Sequence, residues 1–201
     1  MLADEITFAS FNLDSRLQTA LDELAYKTPT PIQVQAIPPI LKGRDVMGAA
    51  QTGTGKTAAF ALPILQRMLP FESTSTSPAR HPIRALILAP TRELADQIAL
   101  SVQRYAQHTH LRSAVIFGGM DMRPQVEILR NGVEILIATP GRLLDHVQAK
   151  SINLSTVQSL VLDEADRMLD MGFLPDLQRI VNLCPQQRQT LLFSATFSPE
   201  I

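Results

Sequence analysis

An α/β fold is predicted by this sequence: a mostly parallel sheet with helices on both faces. Three observations carry that prediction. Short apolar runs alternate with longer helical segments from Pro29 onward. The runs are apolar almost throughout, as strands covered on both faces must be. Strand–helix–strand repetition then calls for right-handed crossovers between parallel strands. The predicted strands are "DVMGAA" (45–50), "IRALILA" (83–89), "SAVIF" (113–117), "EILIAT" (134–139), "VQSLVLD" (157–163) and "QTLLFSA" (189–195). Between them, "RELADQIALSVQRYAQ" (92–107) and "PGRLLDHVQA" (140–149) read as helices, the second with proline near its first turn. Ligands of such sheets gather at the C-terminal ends of the strands.

The rest of the chain is read against that alternation. Residues 13–25 carry apolar positions at helical spacing and precede "YKTPTPIQ", a proline-punctuated turn. Residues 72–80, "ESTSTSPAR", are the low-complexity stretch and read as a mobile surface loop. With no internal repeat and no boundary signal, 1–201 is expected to form one domain, with 1–33 as an N-terminal extension. Apolar residues at 45% and charged residues at 18% fit a globular chain rather than a disordered one. A net charge of −1 gives no bulk basic signal for nucleic acid, though a local patch is compatible with it. Cys184 is the sole cysteine, which excludes an internal disulfide and fits a reducing compartment. The opening "MLADEITFAS" is acidic and has no apolar core, so no signal peptide is expected. No apolar run reaches the roughly 20 residues of a membrane span, and a cytoplasmic location is expected. His108 and His110 have no cysteine or carboxylate cluster nearby and read as loop residues, not metal ligands.

"GAAQTGTGKTAAF" (48–60) is the first stretch with chemistry in it. It follows the pattern strand, four-residue spacer, GK[ST], helix, which cradles phosphates. Gly53 and Gly55 let backbone N–H groups turn inward around an anion, where Cβ atoms would obstruct them. The following helix adds its positive dipole end. Gln51, Thr52 and Thr54 complete the loop. Lys56 is expected on the β- and γ-phosphates and the Thr57 hydroxyl on Mg²⁺. The usual first glycine is Ala50 here, tolerable where the backbone needs no positive φ.

"LVLDEADRMLD" supplies the acidic partner that a bound nucleotide needs. The apolar run ends in Asp163, expected to hold Mg²⁺ through its water shell, and Glu164 is placed to orient and deprotonate an attacking water. In "FSAT", Ser194 and Thr196 end the last strand, where their hydroxyls are expected to bond the Asp166 carboxylate.

In order along the chain, "AQTGTGKT", "PTRELA", "GG", "TPGR", "DEAD" and "SAT" resemble the motifs of the DEAD-box ATP-dependent RNA helicases, over Phe8 to Thr196. The continuation "DEADRMLDMGF" is similar to that of bacterial members. The resemblance implies the N-terminal RecA-like P-loop NTPase domain of such an enzyme, with ATP and Mg²⁺ as cofactors. It makes "YKTPTPIQ" a Q motif that reads adenine, through Tyr26, Thr28 and Gln33, with Phe8 stacking on the base. A glutamine amide both donates and accepts, so it can pair with N6 and N7 of adenine, whereas guanine reverses the donor at position 6. The family's usual glycine before the tyrosine is Ala25 here. RNA contacts are implied at Pro90, Thr91 and Arg92, at Gly118 and Gly119, and at Thr139, Pro140, Gly141 and Arg142. Two of these groups open helices, so they also read as caps; backbone donors there bind phosphates without reading bases. The family's second RecA-like domain is expected to lie outside these residues, so this chain should bind nucleotide but not unwind RNA alone. Two rivals stay open: another P-loop phosphotransferase or GTPase, although the N-K-x-D guanine signature is missing, and a nucleotide-dependent binding module without unwinding activity.

Overall fold

The computed structural model describes residues 5–201. Six strands form: β1 (Val46–Ala49), β2 (Ala85–Leu88), β3 (Ser113–Ile116), β4 (Ile135–Ala138), β5 (Ser159–Asp163) and β6 (Gln189–Ser194). Each falls inside a predicted run and is shorter by a residue or more. They make one sheet in the order β1-β6-β5-β2-β4-β3, with every pairing parallel.

The helices are α1 (Ser15–Glu23), α2 (Pro31–Leu41), α3 (Lys56–Met68), α4 (Arg92–Tyr105), α5 (Met122–Asn131), α6 (Pro140–Gln148), α7 (Ala165–Asp170) and α8 (Leu174–Leu183). Side chains alternate across each strand, so one strand feeds two cores. Ala85, Ile87, Ile135, Ile137 and Val161 join α1 to α4 on one face. Leu86, Leu88, Leu136, Leu160 and Leu162 join α5 to α8 on the other. This double burial is why the central strands read as continuous apolar runs. Edge strand β1 departs from that rule, with Met47 67% exposed.

Two segments differ from their sequence reading. The proline-rich turn stops at Thr30, and Gln33 lies in the first turn of α2 rather than in the turn. Pro31 suits that first turn, and the Gln33 side chain reaches back to the Thr30 N–H at 2.8 Å, as in a capping box. Burial of Ala36, Ile37 and Ile40, and packing on α3, offset the two lost N–H donors of Pro38 and Pro39. Residues 72–80 do run along the surface, but they are tied down. Glu72 pairs with Arg16 at 2.6 Å and accepts the His110 N–H, while Ser75 O accepts from His81 Nε2 (2.7 Å) and Arg112 Nη2. His81 in turn meets Glu134 at 2.6 Å, both wholly buried. All of these partners but His81 lie far off in sequence, so local composition cannot register them.

Candidate functional site

Because all six strands are parallel, the loops that follow them leave the same edge of the sheet. Strand order divides that edge into two halves. Neighbours β1, β6 and β5 bring together the glycine-rich loop, Ser194–Thr196 and Asp163–Asp166. Neighbours β2, β4 and β3 bring together Pro90–Arg92, Thr139–Arg142 and Gly118–Gly119.

On the first half, Gly53 and Gly55 both have left-handed backbone, with φ of 85° and 82°. Gly55 caps α3, and a Cβ there would lie 2.5 Å from Gln33 Nε2. The Thr54 hydroxyl closes the loop on Gln51 O at 2.7 Å. Ala50 is not among the positive-φ residues, which explains why alanine serves where the common pattern has glycine. Lys56 opens α3 and is buried; its Nζ lies 3.0 Å from Asp163 Oδ1 and 3.4 Å from Glu164 Oε1. Thr57 follows Lys56 in the first turn of α3, while Thr52 lies in the loop, its hydroxyl donating to Glu164 Oε1.

Asp163 is fully buried. Its Oδ1 also accepts the Glu164 N–H, but its Oδ2 has no partner among the described residues. Burial pushes the Asp163 carboxyl above its ordinary range even with the Lys56 ammonium beside it. Glu164 holds a left-handed backbone at φ 52°, a conformation that costs a non-glycine residue on the order of 1–2 kcal/mol. That turn aims the carboxylate toward Lys56 and Thr52, with Arg167 Nη1 3.4 Å away.

Beside the loop lies a cavity of about 580 Å³, lined by Phe8, Tyr26, Thr28, Gln33, Gly53, Gly55 and Thr57. The Gln33 amide is engaged within the chain: Oε1 accepts from Thr30 N–H and Nε2 donates to Gly55 O at 3.0 Å. Phe8 is almost wholly buried and packs on Tyr26, with 5.9 Å between ring centroids, so Tyr26 is the more open aromatic. Sequence reasoning missed the far wall, made by Leu94, Gln97, Ser101 and Tyr105 of α4. The Tyr105 hydroxyl lies 3.3 Å from that of Tyr26, and burial followed by this contact pushes its phenol up. Helical periodicity separates the faces of α4 but does not mark which one a cavity touches.

Ser194 departs from its expected role. Its hydroxyl accepts the Asp166 backbone N–H and donates to Thr196 O, while Thr196 alone reaches the carboxylate, through Oγ1 (3.1 Å) and its N–H (3.3 Å). Burial opposes ionisation of Asp166, yet the neighbouring Ser194 and Thr196 hydroxyls and the backbone N–H groups around it hold its carboxyl below the ordinary value.

On the second half, Thr91 caps α4 by accepting the Leu94 N–H. Thr139 precedes α6 without a side-chain cap, and Pro140 and Gly141 form the first turn. The Arg92 guanidinium stacks 4.8 Å above the Phe117 ring. Arg142 is turned inward, its side chain only 11% exposed, and donates to Met120 O at 2.8 Å and Gln125 Oε1 at 3.1 Å. The three predicted groups therefore converge, but the Arg142 side chain holds the glycine loop. His108 faces Glu23 at 2.9 Å, outside the site.

A family model for the DEAD/DEAH box helicase matches residues 30–201. The chain belongs to that family. It is 47% identical to an ATP-dependent RNA helicase CshA of Limosilactobacillus reuteri over 96% of this chain, and 50% identical to the ATP-dependent rRNA helicase rrp-3 of Neurospora crassa over 97%. It spans 37% and 36% of those relatives' lengths. A solved DEAD box protein from the hyperthermophile Methanococcus jannaschii superposes with a TM-score of 0.86 at 38% identity, over 96% of this chain and 51% of that one. The expected RecA-like architecture is thus borne out, and the DEAD/DEAH box signature itself, Asp163–Asp166, sits where β5 ends. Among the described residues, no helix is long and apolar enough to cross a membrane.

Proposed function

We propose that this chain is the nucleotide-binding unit of a cytoplasmic ATP-dependent RNA helicase. In the whole protein, Mg·ATP hydrolysis would be coupled to sequence-independent RNA binding and duplex unwinding, together with a second RecA-like domain. The observation that carries the proposal is the buried Lys56 ammonium, 3.0 Å from Asp163, at a helix start under two left-handed glycines. An exposed surface lysine after a tight turn would have no such pair.

The residues present fit the implied groups. A Cβ at Gly53 would meet no atom within 4 Å, so the loop is open there, and Asp163 Oδ2 is a buried acceptor without a donor among the described residues. Thr57 and Asp163 would hold Mg²⁺, which when bound neutralises charge on the phosphate oxygens. Lys56 would exchange its carboxylate partners for the β- and γ-phosphates. Glu164, oriented by the Thr52 hydroxyl, would accept the proton of the attacking water. Thr196 and Ser194 would keep Asp166 fixed between this cluster and the RNA half. Gln33, beside Tyr26, Thr28 and Phe8, would read adenine after releasing a bond to its own backbone. Backbone N–H groups at Thr91, Arg92, Gly118, Gly119 and Thr139 to Gly141, with Pro90 and Pro140 shaping the turns, would bind RNA phosphates and not bases.

Titration with ADP and GDP tests the nucleotide reading. ADP should bind roughly tenfold to a hundredfold more tightly, and Gln33→Ala should reduce that preference by roughly 1–3 kcal/mol; equal affinities in the unmutated chain would remove the adenine assignment. RNA stimulation of ATP turnover by the longer protein tests the coupling.

A further inference from the structure

The bonds around Gln125 join two loops that come from different strands. Gln125 lies on α5 and is 7% exposed. Its amide has one satisfiable orientation: Nε2 donates to Phe117 O at 3.1 Å and Oε1 accepts from Arg142 Nη1 at 3.1 Å. Turning it over would set an NH₂ group against a guanidinium. His146, on α6 and wholly buried, places Nε2 2.9 Å from the same oxygen. That oxygen only accepts, so His146 donates through Nε2, and its buried Nδ1 has no partner among the described residues. Burial, then the Arg142 guanidinium, disfavour a charged His146, which keeps the ring a single donor.

Arg142 Nη1 also donates to Met120 O at 2.8 Å. The amide and the guanidinium thus grip the carbonyls on either side of Gly118–Gly119. Nothing else crowds those glycines: a Cβ at either would meet no atom within 4 Å. Gly119 is left-handed at φ 81°, and an untethered glycine pair explores many conformations.

We propose that Gln125, backed by His146, is a positioning residue that fixes the Gly118–Gly119 loop against the start of α6, setting the distance between two RNA phosphate contacts. The proposal rests on the reading of those two loops as RNA contacts. Ordering the loop in advance removes a cost that RNA binding would otherwise carry.

The test uses Gln125→Leu and Gln125→Glu in this chain, with fluorescein-labelled oligouridine as the RNA, ADP as the nucleotide, and amide hydrogen exchange across 117–120. Gln125→Leu should weaken RNA binding roughly tenfold or more, leave ADP affinity within about twofold, and speed exchange at the loop. Gln125→Glu should fall between, because a carboxylate still accepts from Arg142 and His146 but cannot donate to Phe117 O. Unchanged RNA affinity with unchanged exchange in Gln125→Leu overturns the proposal. So does a parallel loss of ADP affinity, which would mark general damage to the fold. If the unmutated chain ignores the RNA, the RNA reading fails, and the exchange measurement alone decides the positioning role: faster exchange upholds it, unchanged exchange overturns it. Should Gln125→Leu not fold, His146→Phe carries the same measurements with a smaller loss expected, and parental values there overturn the proposal.

Discussion

Lys56 and Glu164 touch in one cluster, yet their substitutions should fail in different ways. Lys56→Ala removes the counter-charge for phosphate and should weaken ADP binding roughly tenfold to a hundredfold, the loss expected for hydrogen bonds to a charged group. Glu164→Gln keeps the shape and loses the base, so in the longer protein it should bind nucleotide normally and stop turning it over. Calorimetric titration beside a phosphate-release assay separates the two; normal turnover in Glu164→Gln would remove it from that role. Asp166 gives a pH signature. Its folded carboxyl lies below the ordinary 3.8, so its bonds contribute stability above that value and lose it as pH falls through the folded one. Asp166→Asn should therefore cost more stability at pH 7 than near pH 3. Denaturant midpoints of both proteins across that range check it, and a pH-independent difference would contradict the assignment.

Helices, loops and their junctions respond to backbone constraints. Gly132 follows α5 at φ 88°, and a Cβ there would lie 2.7 Å from His81 Cβ and 2.8 Å from His81 O. Gly132→Ala should cost about 2–4 kcal/mol, from left-handed strain plus overpacking against a buried histidine–glutamate pair. Chemical denaturation measures this, and a cost under about 1 kcal/mol would mean that the histidine segment yields freely. The same junction explains why 72–80 is anchored: the buried His81 ring ties Ser75 to Glu134. Composition revealed the low-complexity stretch, but not the carbonyl at Ser75 that distant donors use. α2 teaches the converse. The predicted turn "YKTPTPIQ" ends inside its first turn, and burial against α3 sustains the helix despite two internal prolines.

Across the whole molecule, charge distribution bears on RNA. With 18 basic and 19 acidic residues, there is no broad positive field. Arg142 is drawn inward, which leaves the exposed Arg92, stacked on Phe117, beside the backbone N–H groups as donors on that half. Each phosphate neutralised by a cation on a single strand contributes a slope of roughly −0.7 in log affinity against log salt. We expect a total slope no steeper than about −2, in contrast to proteins with basic grooves. Binding of labelled oligouridine over a series of salt concentrations measures it, and a slope several times steeper would point to a cationic surface outside the two loops.

The sequence by itself determined which segments are strands, which loop carries the phosphate-cradle pattern, and which acids stand at the end of β5, because each depends on residue type over a few neighbouring positions. Glycines at 53 and 55, a lysine at the helix start and an apolar run ending in Asp163 are local requirements of the backbone and of charge. Tertiary structure decided what those residues face. Only the pairing of β1 with β6, and of β6 with β5, sets Lys56 beside Asp163. Only packing turns the Gln33 amide onto Gly55, draws Arg142 inward to Met120, and makes a face of α4 into a cavity wall. The physical reason is that hydrogen-bond partners and buried neighbours are chosen across chain separations that no local pattern spans. Side chains that satisfy one another in the interior can be identified individually in the sequence, but not matched until the sheet has assembled.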